Sequence, residues 1–200
     1  MKRSAIGPIV VALAIATASG AVYGQDADSK AFINDLTIAG LAEVQLGKLA
    51  AERAASPDVK AFGQMMVKDH TQAANELKPI AMQLNVPQPT QVDQKHKDLA
   101  DKLSKLEGRA FDREYINAMV MGHEEVAAKI RTRVENHTAA RGAGGADHPP
   151  GSAGKKEAAG HPAPAAGPGE QKLTQWAAMV LPTVQMHLER ARELQKKSAE

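Results

Sequence analysis

Four segments of the chain repeat apolar residues every three or four positions, and this spacing constrains the fold more than any other feature. The segments are residues 26–55, a second that begins at Pro57, 109–137 and 171–198. An apolar stripe at this spacing lies on one face of an α-helix and must be buried against other elements. A shorter charged segment, residues 91–106, predicts one extra helix. The sequence therefore predicts an all-α protein whose four long helices pack as a four-helix bundle.

A compositional break separates the third long helix from the last. Residues 138–170 read TAARGAGGADHPPGSAGKKEAAGHPAPAAGPGE, a run dominated by Gly, Ala and Pro. Such a segment has too little apolar surface to offset the entropy of ordering the chain. We therefore predict a long disordered linker at 138–170. The first three bundle helices then occupy residues 26–137, and the last occupies residues 171–198.

The N-terminal residues 1–24 have the layout of a secretory signal peptide. Two basic residues precede an apolar run of about residues 6–18, and small residues follow. The run is too short and too rich in alanine for a membrane span, so we expect cleavage and no transmembrane segment afterwards. We place the cut after Gly24, with Gly20 as the competing site. The predicted location is periplasmic or secreted.

Charge and cysteine content exclude several classes of function. Cleavage after residue 24 removes two of the 25 basic residues and none of the 23 acidic ones, which leaves a nearly neutral chain. The basic surface expected of a nucleic-acid-binding protein is therefore missing. Because the chain has no cysteine, disulfides, thiolate catalysis and cysteine-ligated metal sites are excluded as well.

Each long helix carries one titratable residue on its apolar stripe, and these residues form the candidate site. They are Glu43, His70, His123 and His187. An isolated buried charge is costly, so such groups pair, hydrogen-bond or bind a cation. If the four side chains meet at one level of the bundle, three imidazoles and a carboxylate suit a transition metal such as Zn, Cu, Ni or Fe. The alternative is a hydrogen-bonded polar cluster that fixes the helix register without a metal.

Other carboxylates stand next to the histidines along the chain. Asp69, Glu124 and Glu125 each lie about 100° around the helix from the neighbouring histidine, so we predict that they are surface charges.

Three blocks of the sequence resemble a known family. They read AEVQLGKLAAERAASPDVKAFGQMMVKDHTQAANEL, FDREYINAMVMGHEE and LPTVQMHLERARE, in that order. Together they resemble the ferritin-like bacterial envelope proteins grouped as domain of unknown function 4142, over about residues 27–138 and 170–195. The resemblance implies an exported four-helix bundle of ferritin-like type, and it implies no activity.

The sequence favours a non-catalytic role. A carboxylate di-iron centre requires Glu three residues before the ligand histidines, but those positions are Val67, Val120 and Val184. No other catalytic motif is present, so we predict no catalytic residue and no organic cofactor site. The favoured function is an exported envelope or stress-related module of unassigned activity. A mononuclear transition-metal-binding protein is the alternative. The sequence identifies no partner, and self-association is compatible with it.

Overall fold

The computed structural model describes residues 20–142 and 166–198, which form five helices. The helices are α1 (Gly20–Arg53), α2 (Pro57–Gln83), α3 (Gln94–Ser104), α4 (Gly108–Gly142) and α5 (Pro168–Ser198). No strand occurs in these two ranges. The all-α prediction is therefore confirmed for the described residues, including the short extra helix α3.

The four long helices contact one another in a closed ring. α1 packs against α2 and α4 packs against α5, while contacts of α2 with α5 and of α1 with α4 complete the ring; α3 touches α1 and α4. Two apolar clusters fill the interior. The first is built around Phe62, Phe111 and Tyr115. The second is built around Ile130 and Trp176. Both clusters draw on all four long helices, so burial of the four predicted stripes holds the helices together.

Two glycines allow α1 and α2 to approach closely. A Cβ atom on Gly47 would lie 2.6 Å from the carbonyl oxygen of Gly63, and one on Gly63 would lie 2.7 Å from that of Gly47. Real side chains do not tolerate such contacts, so the backbones can cross here only because both residues lack a side chain. This crossing lies one turn from Glu43 on α1 and two turns from His70 on α2, and it sets the spacing between those helices.

The turn between α1 and α2 is fixed by a residue of α4. α2 begins at Pro57, as predicted, but the Ser56 side chain makes no capping hydrogen bond. Instead, the Asp112 carboxylate accepts hydrogen bonds from the backbone N–H groups of Ala55 and Ser56, at 3.0 and 2.8 Å. Asp112 is itself buried, and the two bonds satisfy its charge. The start of α4 is thereby tied to the α1–α2 turn.

The neighbouring helices extend into both ends of the predicted linker, residues 138–170. α4 continues to Gly142, and α5 begins at Pro168. Residues 143–165, the middle of the predicted linker, lie outside the described residues.

The start of α5 is held by a buried polar contact that composition does not reveal. Glu170 forms an ion pair with Arg133 of α4, and its carboxylate accepts a hydrogen bond of 2.6 Å from the Ser29 hydroxyl of α1. These contacts join three helices around one buried carboxylate. Glu170 therefore belongs to the packed interior, and the reason is a specific pairing rather than an apolar stripe.

The predicted signal peptide falls largely on residues 1–19, which lie outside the described residues. The predicted cleavage point after Gly24 falls in the first turns of α1. Within the described ranges, no helix combines the length and the apolar character that crossing a membrane requires.

Candidate metal centre

A layer of polar side chains separates the two apolar clusters. In every long helix, the cluster residues on one side of the candidate residue along the chain belong to one apolar cluster, and those on its other side belong to the other cluster. Leu36 and Leu46 flank Glu43 in α1, for example, and belong to the second and first clusters respectively. The same order holds around His70, His123 and His187. The four predicted residues therefore occupy one depth of the fold.

The three imidazole rings meet at this depth. The ring centroids of His70 and His123 are 5.6 Å apart, those of His70 and His187 are 5.5 Å apart, and those of His123 and His187 are 5.4 Å apart. One ring nitrogen from each residue lies within 4.8 Å of the other two. Three ring nitrogens from three helices thus lie close together.

The hydrogen bond of His123 determines which of its nitrogens can bind a ligand. Its Nδ1 atom lies 2.8 Å from the carbonyl oxygen of Met119, one turn earlier in α4. A carbonyl can only accept, so Nδ1 carries the proton and Nε2 carries the lone pair. Nε2 is buried and has no hydrogen-bond partner among the described residues.

His187 is oriented by a carboxylate that the sequence prediction assigned to the surface. Its Nε2 atom lies 3.0 Å from Oδ2 of Asp69, and the Asp69 side chain is only 22 % exposed. The prediction for Asp69 is therefore wrong. Asp69 does point sideways from His70 on α2, but His187 reaches that flank from α5. This bond leaves Nδ1 of His187 buried and unpartnered within the described structure.

The other two neighbouring carboxylates lie where they were predicted. Glu124 and Glu125 are exposed, and they pair with Arg192 and Lys95. Neither belongs to the histidine cluster.

The predicted carboxylate of α1 lies beside the cluster rather than within it. Glu43 is buried, and its Oε1 atom is 3.8 Å from Nδ1 of His123, on the side of that ring that faces Met119. Gly122 lies next to this carboxyl group, since a Cβ there would be in ordinary contact with Oε1, at 3.4 Å. Of the four predicted residues, the three histidines therefore converge, and the carboxyl group of Glu43 lies beside them.

Burial sets the protonation states. It lowers the pKa of His70 to about 3, with further lowering by the neighbouring imidazoles. It lowers the pKa of His123 to about 4, against the opposing hydrogen bond to Met119. Burial also lowers the pKa of His187, while Asp69 acts in the opposite direction. The three rings are therefore neutral near pH 7, which is the form that binds metals.

The same burial shifts the pKa of Glu43 in the opposite direction. Burial raises its pKa to about 8, because the ionised carboxylate is the form that loses solvation. At neutral pH without a cation, the group is mainly a protonated carboxyl.

The sequence also matches the model of a known protein family. The sequence model of the family described as "Domain of unknown function (DUF4142)" matches residues 14–141, more than half of the chain. The chain belongs to this DUF4142 family. The matched range contains Glu43, His70 and His123 but ends before His187, and it does not include the C-terminal part of the predicted resemblance. Comparison with curated proteins and with solved structures gave no significant match.

Proposed function

We propose that the protein binds a single transition-metal ion through His70, His123 and His187. Each residue supplies one neutral imidazole nitrogen from a different helix. Glu43 is the carboxyl group that compensates the charge of the ion from beside this ligand set. No catalytic role is proposed for any residue.

The observation that carries the proposal is the set of three buried ring nitrogens that lack hydrogen-bond partners among the described residues. They are Nε2 of His70, Nε2 of His123 and Nδ1 of His187. A buried polar atom left without a partner costs roughly 1–3 kcal/mol. Three such atoms on three rings in mutual contact represent a substantial cost, which a shared cation would offset.

The outer contacts of the rings also support the proposal. Metal-binding histidines generally donate their second ring N–H to a carbonyl or a carboxylate, which fixes the tautomer and the ring orientation. The Met119 carbonyl has this relation to His123, and the Asp69 carboxylate has it to His187.

The types of ligand atom narrow the choice of metal. Neutral imidazoles suit Zn, Cu, Ni or Fe, whereas Mg and Ca prefer a shell of oxygen atoms. Zinc–nitrogen bonds of about 2.0–2.1 Å place tetrahedral ligands roughly 3.4 Å apart. The ring nitrogens now lie within 4.8 Å of one another, so zinc binding would shorten these separations by about 1.4 Å at most.

The wider setting is proposed from the N-terminal sequence and the helix contacts. We infer an exported, periplasmic or secreted protein because residues 1–24 have the layout of a signal peptide. The closed ring of four long helices supports a four-helix bundle of ferritin-like type. Within that setting, an envelope or stress-related role is compatible with metal binding.

A second candidate is a polar cluster that only fixes the helix register. The hydrogen bonds of His123 and His187 favour it, since both operate without a metal. It predicts that substitution of a histidine lowers stability and leaves no metal response to lose.

Metal analysis of protein purified from the periplasm, followed by thermal melts with Zn, Cu, Ni and Fe, separates the two candidates. At one hundred times its dissociation constant, a metal adds about 2.7 kcal/mol, or roughly 5–10 °C in Tm for a chain of this size. The shift should disappear in His70→Ala and in His187→Ala. It should remain in His96→Ala, because His96 lies in α3 outside the cluster. An unchanged Tm with all four metals, together with no retained metal, would reject the metal-binding proposal.

A further inference from the structure

A cavity of about 410 Å³ adjoins the histidine cluster. The three histidines and Glu43 form part of its wall. Most of the remaining wall is apolar, and its large side chains include Leu36, Leu77, Ile130, Trp176, Val180 and Val184. Met179 and Met186, which also line it, are 68 % and 46 % exposed, so they mark the side on which the cavity meets solvent.

We propose that this cavity binds a small uncharged organic molecule whose apolar body contacts the wall and whose nitrogen or oxygen donor completes the coordination of the metal. The inference rests on the proposed metal site, and it adds the class of ligand. Three histidines leave at least one position of a tetrahedral ion open, which is the arrangement of metal sites that take up a further ligand. The cavity gives that ligand a place beside the histidines.

The described wall of the cavity offers no cationic side chain to an anionic ligand. Glu43, Asp69 and Glu76 line the cavity, and no Lys or Arg appears among the described residues that do so. A negatively charged molecule would lose its solvation and find no cation except the metal. An uncharged molecule loses little solvation and buries its apolar surface against the side chains of the wall.

The cavity volume depends partly on a helical glycine. Gly40 of α1 lines it, and a Cβ added there would meet no described heavy atom within 4 Å. Glycine inside a helix costs about 1 kcal/mol relative to alanine. At Gly47 the close packing of the helices requires a glycine, but at Gly40 it does not. The missing side chain instead enlarges the space beside the histidines.

The size of the cavity suits a molecule of one or two rings. Small-molecule sites generally measure roughly 300–1,000 Å³, and an apolar cavity of about 150 Å³ in another protein holds benzene. The present volume therefore accommodates an aromatic ring together with a donor group.

The test compares probes on protein loaded with Co²⁺, whose visible absorption reports its coordination. Imidazole supplies a donor without an apolar body, 4-phenylimidazole supplies both, and benzoate carries the same phenyl ring on an anionic donor. Each is titrated at pH 8, followed by Co²⁺ absorption and by the fluorescence of Trp176, the single tryptophan of the chain. We expect 4-phenylimidazole to bind at least about tenfold more tightly than imidazole, because the phenyl group is buried. Benzoate should bind more weakly than 4-phenylimidazole.

A cavity-filling variant adds an independent criterion. Gly40→Leu should retain Co²⁺ binding and lose the advantage of 4-phenylimidazole over imidazole. Gly167→Leu is the matched control, since Gly167 precedes α5, does not line the cavity and has open space around it. It should retain the full advantage.

The outcomes separate this inference from the metal site itself. If the wild-type protein binds none of Co²⁺, Zn²⁺, Cu²⁺, Ni²⁺ and Fe²⁺, the proposed function fails, and the ligand inference fails with it. If Co²⁺ binds through the histidines but 4-phenylimidazole shows no advantage over imidazole, the ligand inference alone is overturned. An advantage that persists in a folded Gly40→Leu variant would overturn it too, because the phenyl group would then bind elsewhere.

Discussion

Replacing Glu43 by glutamine should change how stability depends on pH. Glu43 is buried, and its pKa is raised from 4.5 to about 8. Because the pKa of Glu43 is higher in the folded protein than in the unfolded chain, its protonation stabilises the fold. This stabilisation is fully present below the unfolded pKa, near 4.5, and is lost as the pH rises through the folded pKa, about 8. Glutamine has nearly the same shape and does not titrate. The variant therefore lacks this pH-dependent contribution.

The magnitude follows from linkage. One pKa unit corresponds to about 1.4 kcal/mol. The unfolding free energy of Glu43→Gln minus that of the wild type should therefore increase by roughly 2.5 kcal/mol between pH 5 and pH 7, and should level off near pH 8. The difference at any single pH also includes the hydrogen bonds of the new amide, so the slope is the predicted quantity.

Subtraction of the two proteins removes the opposing effect of the histidines. Burial lowers the pKa of His70 to about 3 and that of His123 to about 4. A lowered histidine pKa destabilises the fold as the pH falls below 6.5, because the unfolded chain then takes up protons that the folded chain does not. Both proteins contain these residues, so their contribution cancels in the difference.

Urea denaturation of metal-free protein at pH 5, 6, 7 and 8, with a chelator present, measures the difference. Glu124→Gln is the matched control, since Glu124 is exposed and pairs only at the surface, with Arg192. Its curve should run parallel to that of the wild type. If the Glu43→Gln curve is also parallel between pH 5 and pH 7, then Glu43 is ionised in the folded protein, and the argument from burial is refuted.

Two further substitutions test the packing and the orientation of the ligands. Gly47→Ala should lower the unfolding free energy by about 1–3 kcal/mol, because its Cβ would meet the Gly63 carbonyl oxygen at 2.6 Å. Gly40→Ala is the control, since a Cβ there meets open space, and it should be neutral or stabilising by up to about 1 kcal/mol. Equal denaturation midpoints for the two variants would contradict the close crossing of α1 and α2. Asp69→Asn should weaken zinc binding by roughly 10- to 100-fold in calorimetry, because it weakens the contact that orients the His187 ring. Glu124→Gln is the control and should leave the zinc affinity unchanged. An unaltered zinc affinity in Asp69→Asn would show that Asp69 is not part of the site.

The helices could be predicted from the sequence because each apolar stripe is a local pattern. Pro57 at the start of α2 and the charged segment of α3 are similarly local. The stripes also placed Glu43 and the three histidines on buried faces. Their meeting at one depth was a hypothesis at that stage, because spacing within separate helices does not set their relative register. The positions of the two apolar clusters establish that register.

The features that the sequence did not reveal depend on contacts between helices. Asp69 orients His187 although the two residues are 118 positions apart. Glu170 is buried because Arg133 and Ser29 reach it from α4 and α1. Composition and helical periodicity contain no information about such pairs, since each partner in isolation resembles a surface residue.

The most direct test of the proposed site is anomalous diffraction from crystals of the protein loaded with zinc, recorded at the zinc absorption edge. We predict one strong peak about 2.0–2.1 Å from one nitrogen of each of His70, His123 and His187. A peak only at surface carboxylates such as Glu124 and Glu125, with none between the three rings, would contradict the proposed metal centre.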